Sequence, residues 1–244
     1  MYNSYVEIDG IVYSKNLEDV ITSKPDKRLS DEYEISVNTK SITEQCFYND
    51  AKIRKITLPN SLKMIEERAF QNCVNLEEIV IPDSVVYIGA NTFNHCSNLK
   101  KVKLSKNLKE IKPYIFLNCK SLEEIEIPES VERIYEQAFY GCTSLKKVIL
   151  PNNLTFIKQN AFRNCPSLKS ITLPKDVLIK DVIFDDTIEN IYIDKETLDK
   201  LPYFKKLYFN KIKFPKTLDE LLDEGKSLKE ISKVFKEEIE NHFL

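Results

Sequence analysis

A phenylalanine returns every twenty-three residues along much of this chain, at Phe47, Phe70, Phe93, Phe116, Phe139 and Phe162. An isoleucine keeps step five residues ahead of each, at Ile42, Ile65, Ile88, Ile111, Ile134 and Ile157. Self-similarity at a fixed period of this size specifies a solenoid, in which each copy is one coil and stacked neighbours bury a shared core. Six copies run without a gap: 38–60, 61–83, 84–106, 107–129, 130–152 and 153–175.

Within a copy, Leu76, Ile79 and Ile81 spell Leu-x-x-Ile-x-Leu-like spacing, which recurs as Leu99, Val102, Leu104 and Leu122, Ile125, Ile127. The alternation predicts a short strand with its intervening residue on the opposite face. Proline follows at Pro59, Pro82, Pro128, Pro151 and Pro174 and ends the strand, because it cannot donate to a ladder. Stacked coils would set these strands side by side in one parallel sheet, about 4.8 Å apart. Residues 66–72 and their counterparts suit a short helical turn. The column Asn49, Asn72, His95, Asn118, Gly141 and Asn164 holds residue types that tolerate positive φ, as a turn-stopping position requires. Backbone conformation thus accounts for His95 without a catalytic role.

These residues bring a family into view. Residues 76–96, with their strand motif, proline, isoleucine, phenylalanine and cysteine, resemble the treponemal or BspA-type leucine-rich repeat, and 38–175 match it almost column by column. The resemblance implies an α/β-type leucine-rich-repeat fold: a right-handed curved solenoid with one parallel sheet. It also implies a non-enzymatic role in adhesion or protein recognition, often at bacterial or protozoan surfaces.

The ends depart from the repeat, as capping segments must. Residues 6–13 read as a hairpin around Asp9-Gly10. Beyond 175, Phe184, Ile188, Ile191 and Ile193 trace a shortened coil. In the tail, Ser227 and Glu230 make a capping box, and Leu228, Ile231, Phe235 and Ile239 share a helical face. The expected organisation is an N-terminal β cap at 1–37, repeats at 38–194 and a mainly helical C-terminal cap at 195–244.

Composition narrows the function. A net charge of −2 gives no electrostatic basis for binding nucleic acid or an anionic membrane, and no apolar run approaches membrane-spanning length. Four glycines, two histidines and no phosphate loop, nucleophile elbow or His-Glu-x-x-His motif leave no expectation of catalysis, cofactor or metal. Cys73, Cys96, Cys119, Cys142 and Cys165 form one column, so their Cβ atoms should point in parallel, unlike a disulfide framework, and no Cys-x-x-Cys pair suggests zinc. A small buried residue at a tight corner explains them. The N-terminus lacks the pattern of an export signal. The expected location is the cytoplasm for a complete chain, and the cell surface or outside for one whose signal was removed.

What varies is the exposed face of the predicted strands. Its charges alternate by coil: Arg54-Lys55, Glu77-Glu78, Lys100-Lys101-x-Lys103, Glu123-Glu124-x-Glu126 and Lys146-Lys147. Two readings stand: a polar recognition face, or a ladder that satisfies itself, fixes register and keeps the surface soluble. The candidate binding residues are Val80, Lys101, Lys103, Glu124, Glu126, Lys147 and Ile149, facing a protein partner. Tyr87, Tyr135, Tyr140 and Phe156 form a second, scattered aromatic set. A monomer is the expected state, with self-assembly as an alternative role. A further alternative is DNA binding through 221–241, whose start resembles a helix-turn-helix but whose end is acidic.

Overall fold

The computed structural model describes residues 5–27 and 30–214, which wind into a β-solenoid of about eight coils. Each coil contributes one strand to a first ladder: Glu32–Glu34, Lys55–Thr57, Glu78–Val80, Lys101–Lys103, Glu124–Glu126, Lys147–Ile149, Ser170–Thr172 and Asn190–Tyr192. Wherever these strands pair they pair in parallel, in register with the repeat: Lys101 lies opposite Glu78, and Glu124 opposite Lys147. The predicted alternation holds, for Ile79 and Ile125 are buried while Val80 and Glu126 face out.

The single expected sheet is accompanied by a second ladder. The isoleucine column sits on two-residue strands, Ser41–Ile42, Met64–Ile65, Tyr87–Ile88, Glu110–Ile111, Arg133–Ile134, Phe156–Ile157 and Leu178–Ile179. Two residues are too short a run to show a strand period, so this side left no periodic signal. Both ladders are interrupted at one place, the junction between coils 84–106 and 107–129. There Tyr87–Ile88 does not bridge to Glu110–Ile111, nor Lys101–Lys103 to Glu124–Glu126. The first ladder has another interruption between Lys147–Ile149 and Ser170–Thr172.

The segments expected as helical turns are chains of tight turns instead. Two residues per coil take positive φ: Arg68 (57°) with Asn72 (60°), and Tyr114 (59°) with Asn118 (58°). A helix cannot run through a left-handed residue. The second of each pair is the expected column, His95 (60°) and Gly141 (73°) included. The first holds Gln45, Arg68, Asn91, Tyr114, Gln137 and Asn160, mostly types that give no hint of this conformation. These turns are coupled coil to coil, with the Phe47 amide donating to Ala69 O (2.7 Å), that of Phe70 to Thr92 O (3.0 Å) and that of Phe116 to Ala138 O (2.8 Å).

Inside the turns the phenylalanines stack face to face, with centroids 5.0–5.6 Å apart from Phe47 to Phe162. This is the offset spacing that aromatic pairs prefer. Beside them the cysteine thiols reach back one coil and donate to a phenylalanine carbonyl: Cys73 to Phe47 O at 3.1 Å, Cys119 to Phe93 O at 3.1 Å, and Cys142 to Phe116 O at 3.2 Å. All six cysteines are buried and none is in a disulfide. Burial pushes the thiols of the column up, that of Cys165 to about 12, so they are poor nucleophiles. The column starts at Asp50, also buried, where the carboxylate accepts from the Ser23 hydroxyl of the cap (2.8 Å) and from the Lys52 amide of its own coil (3.1 Å).

The N-terminal hairpin forms as expected, Tyr5–Ile8 against Ile11–Ser14, with Asp9 (46°) and Gly10 (72°) both at positive φ as a type I′ turn needs. Asp19–Ser23 then pairs antiparallel with the hairpin and parallel with Ser41–Ile42, converting one geometry into the other. At the far end are the short helices Lys195–Asp199 and Pro202–Leu207, followed by Ile212–Lys213, which adds a parallel strand to Asn190–Tyr192. The capping box at 227–230 and the apolar face through 239 lie outside the described residues.

The aromatic stack ends on this cap. Phe184 continues it at 5.9 Å, and Tyr208 closes it edge-on at 5.8 Å. The Tyr208 hydroxyl accepts from the Phe184 amide and donates to the Phe184 carbonyl, both at 3.0 Å, replacing the coil that would otherwise follow. Two outcomes are expected in denaturant unfolding. Phe116→Ala, at a fully buried position, should cost about 3–5 kcal/mol; a loss below about 1 kcal/mol would mean that the stack is not the core. Tyr208→Phe keeps the ring but orphans two buried groups, at a cost of about 1–3 kcal/mol. Hydrogen exchange at the Phe184 amide should accelerate in that variant, and unchanged protection would refute the capping role.

Candidate recognition surface

The first ladder presents its charges in columns, because residues twenty-three apart occupy equivalent places on adjacent coils. The column at the strand entrance is paired from coil to coil. Arg54 Nε meets Asp31 at 2.9 Å, Lys100 meets Glu77 at 3.7 Å, Lys146 meets Glu123 at 2.9 Å, and Lys169 meets Glu189 at 3.4 Å. One step inward, Lys55 meets Glu78 at 3.0 Å, and the hydrogen bond from Lys55 holds the Glu78 carboxyl below its ordinary range. To this extent the ladder satisfies itself.

At the seam it does not. Among the described residues, Lys101, Lys103, Glu124, Glu126 and Lys147 take part in no ion pair. Lys101 and Lys103 stand exposed on one side of the interruption, Glu124 and Glu126 on the other. Val80 is 57% exposed and lines an open depression of about 290 Å³ together with Lys55, Thr57 and Glu78. Lys147 and Ile149 are half-buried at the other end of the group. The structure therefore sets all seven sequence-selected residues on four consecutive coils of one face.

The aromatic set divides. Tyr140 sits apart, half-buried on the turn side. Tyr87, Tyr135 and Phe156 gather on the second ladder, with two lysines that the sequence reading passed over. Lys112, Tyr135 and Lys158 share a column, and Tyr135 has Lys112 Nζ 5.5 Å and Lys158 Nζ 4.6 Å from its ring centre. Gly89 precedes them in that column; a Cβ there would lie 2.5 Å from the Glu67 nitrogen. Tyr87, two residues earlier, has its ring centre 5.8 Å from Lys112 Nζ. Glu110 ties the group together, accepting from Lys112, from the Tyr135 hydroxyl (3.1 Å) and from Arg133 (3.2 Å). Reading the column at its own period would have revealed the Lys-Tyr-Lys order.

A family model for the BspA type leucine rich repeat region matches residues 27–135 and 109–224, with six copies. The chain belongs to the BspA-type leucine-rich repeat family. Among solved structures it is similar to a leucine-rich repeat protein from Eubacterium ventriosum, at 27% identity and a TM-score of 0.67 over 79% of this chain and 51% of that one. It is also similar to the T. pallidum leucine-rich repeat protein, at 21% identity and a TM-score of 0.61 over 88% and 97%. A Bacteroides ovatus leucine-rich repeat protein follows at 22% identity and 0.59, over 88% and 58%. The last two are likenesses of fold. The chain spans about half the length of the Eubacterium protein. The comparison with curated proteins gave no match.

BspA-type repeats are a non-enzymatic repeat family. In this member no described helix is long and apolar enough to cross a membrane, and among the described residues no cluster of His, Cys, Asp or Glu could hold a metal ion. His95 is exposed, its ring nitrogens next to the side chains of Asn94 and Asn118. The helix-turn-helix alternative at 221–241 lies outside the described residues.

The Glu110 cluster gives a pH-dependent expectation. The hydrogen bond from Lys112, with those from Tyr135 and Arg133, holds its carboxyl below the ordinary 4.5. A depressed carboxyl contributes stability that is fully present above the unfolded value, 4.5, and is lost as pH falls through the folded one. Glu110→Gln should therefore destabilise the protein at pH 7 by about 1 kcal/mol or less, the scale of a solvent-screened cluster. The difference from the parent should shrink as pH falls below 4.5 and vanish once pH lies below the folded value; a pH-independent difference in urea midpoints would contradict this assignment.

Proposed function

We propose that this chain is a non-enzymatic protein-recognition module that uses the exposed face of its first ladder. The observation that carries this reading is the contrast within one sheet. The entrance column is neutralised by its own neighbours, whereas Lys101, Lys103, Glu124 and Glu126 have no ion-pair partner among the described residues, beside the exposed Val80. Charges held on a rigid frame lose little freedom on binding, and complementary charge chiefly sets specificity and association rate. The stripes alternate in sign, so this face offers no continuous basic track for a phosphate backbone. Adhesion to another cell or to a host protein, the setting implied by the family likeness, would use the same face.

The test compares immobilised parent protein with Glu124→Lys/Glu126→Lys against the same candidate proteins or extract. The variant should fold as the parent does, since its altered side chains make no ion pair. Affinity for any retained partner should fall by about tenfold or more, and the parent complex should weaken with salt. Equal retention by both proteins would remove the strand face from the function.

A further inference from the structure

Because sign alternates from coil to coil, the order on the first ladder inverts about any gap between strands, and the seam is the gap flanked by charges without ion pairs among the described residues. Strands Lys101–Lys103 and Glu124–Glu126 flank it, Glu78–Val80 and Lys147–Ile149 stand one coil further out, and Lys55–Thr57 and Ser170–Thr172 one further again. Take a two-fold axis parallel to the strands, in the plane of this face and between the two flanking strands. It turns a second copy face to face with the first, keeps the strand direction and inverts the order of coils. Each residue then meets the one at the same strand position on the opposite side of the seam. Lys101 meets Glu124, Lys103 meets Glu126, Glu78 meets Lys147, and Val80 meets Ile149. In the entrance column, Lys100 meets Glu123 and Glu77 meets Lys146. Further out, Lys55 meets Ser170 and Thr57 meets Thr172.

We infer that the occupant of this face is a second copy of the same chain, held by these reciprocal contacts in a two-fold dimer. The inference rests on the reading of the strand face as the recognition surface and names its partner. Sign alternation alone also serves the ladder within one chain; what points outward is that the charges flanking the seam have no ion pair there, while a second copy supplies one for each. A two-fold interface requires that if one residue contacts another, the reverse contact also forms. Four of the five face charges without ion pairs among the described residues are those nearest the axis, where an isologous contact is most enclosed. Two like-charged matches, Arg54 over Lys169 and Asp31 over Glu189, fall at the rim, where each cation is already paired with the acid of its own copy. Strands about 4.8 Å apart and three to four residues wide make a narrow patch, at the small end of specific interfaces. The dimer is accordingly transient, with a Kd on the order of 10–100 μM.

Sedimentation equilibrium of the full chain between about 10 μM and 1 mM tests this. The parent should self-associate, and about tenfold less tightly when ionic strength rises from about 0.05 to 0.5 M. Lys101→Glu/Lys103→Glu and Glu124→Lys/Glu126→Lys should each be monomeric, because each makes the centre of the face one sign. An equimolar mixture of the two should associate, one copy of each. The chain carrying all four reversals should associate like the parent, since its polarity is inverted but remains palindromic. Circular dichroism checks that every variant is folded. A monomeric parent across the range, a mixture that stays monomeric, or double variants that associate like the parent would each overturn the dimer. A monomeric parent whose foreign partner is still lost on Glu124→Lys/Glu126→Lys would leave the recognition reading standing without it.

Discussion

No coil of this protein has an interior of its own. A coil of twenty-three residues encloses one phenylalanine, one isoleucine and a few strand residues, and the apolar surface of each is closed only by the coil above and the coil below. Everything else follows from making that stacking repeat without error. The backbone bonds at the turns set the rise, the phenylalanine rings fill it at 5.0–5.6 Å, and the cysteine thiols tie each coil to the carbonyl of the one before. Substitution in one coil is therefore felt by two neighbours, and stability behaves as a sum of coil and interface contributions.

A one-dimensional stack must also be ended. The two ends solve this differently. At the N-terminus a hairpin supplies an antiparallel edge, and Asp19–Ser23 accepts that edge on one side while offering a parallel one on the other. At the far end of the described residues a single side chain, Tyr208, both covers the Phe184 ring and bonds the Phe184 backbone. Its ring and hydroxyl do together what a further coil would do with a phenylalanine and a peptide group.

Much of this was legible because identical environments select similar residues. The phenylalanine, isoleucine and cysteine columns, the left-handed Asn, His or Gly column and the hairpin could each be read at a fixed period. The parts that were hidden share a physical cause: they do not constrain residue type. Arg68, Gln137 and Tyr114 adopt positive φ because neighbouring coils bond their backbone, at a cost no propensity advertises. The second ladder uses two residues per coil and leaves no alternation. Tyr208 lies beyond the repeat, so no column pointed to it. On the strand face the order of signs was legible, but not which charges would meet: Lys146 reaches Glu123, whereas Lys101 and Glu124 face each other across a seam that the ladder does not bridge.

That seam separates what the fold requires from what it merely permits. The core columns vary little from coil to coil, because each is packed against a copy of itself. The outward strand positions carry lysine, glutamate, valine, isoleucine and threonine in turn without altering the backbone beneath them. Stacking is thus indifferent to their order, and exposed ion pairs add too little stability to dictate it. An order that the fold does not need, which alternates in sign and matches apolar with apolar about the seam, is information carried by the surface. The rigidity of the stack is what allows a three-residue strand to hold that information in register over six coils.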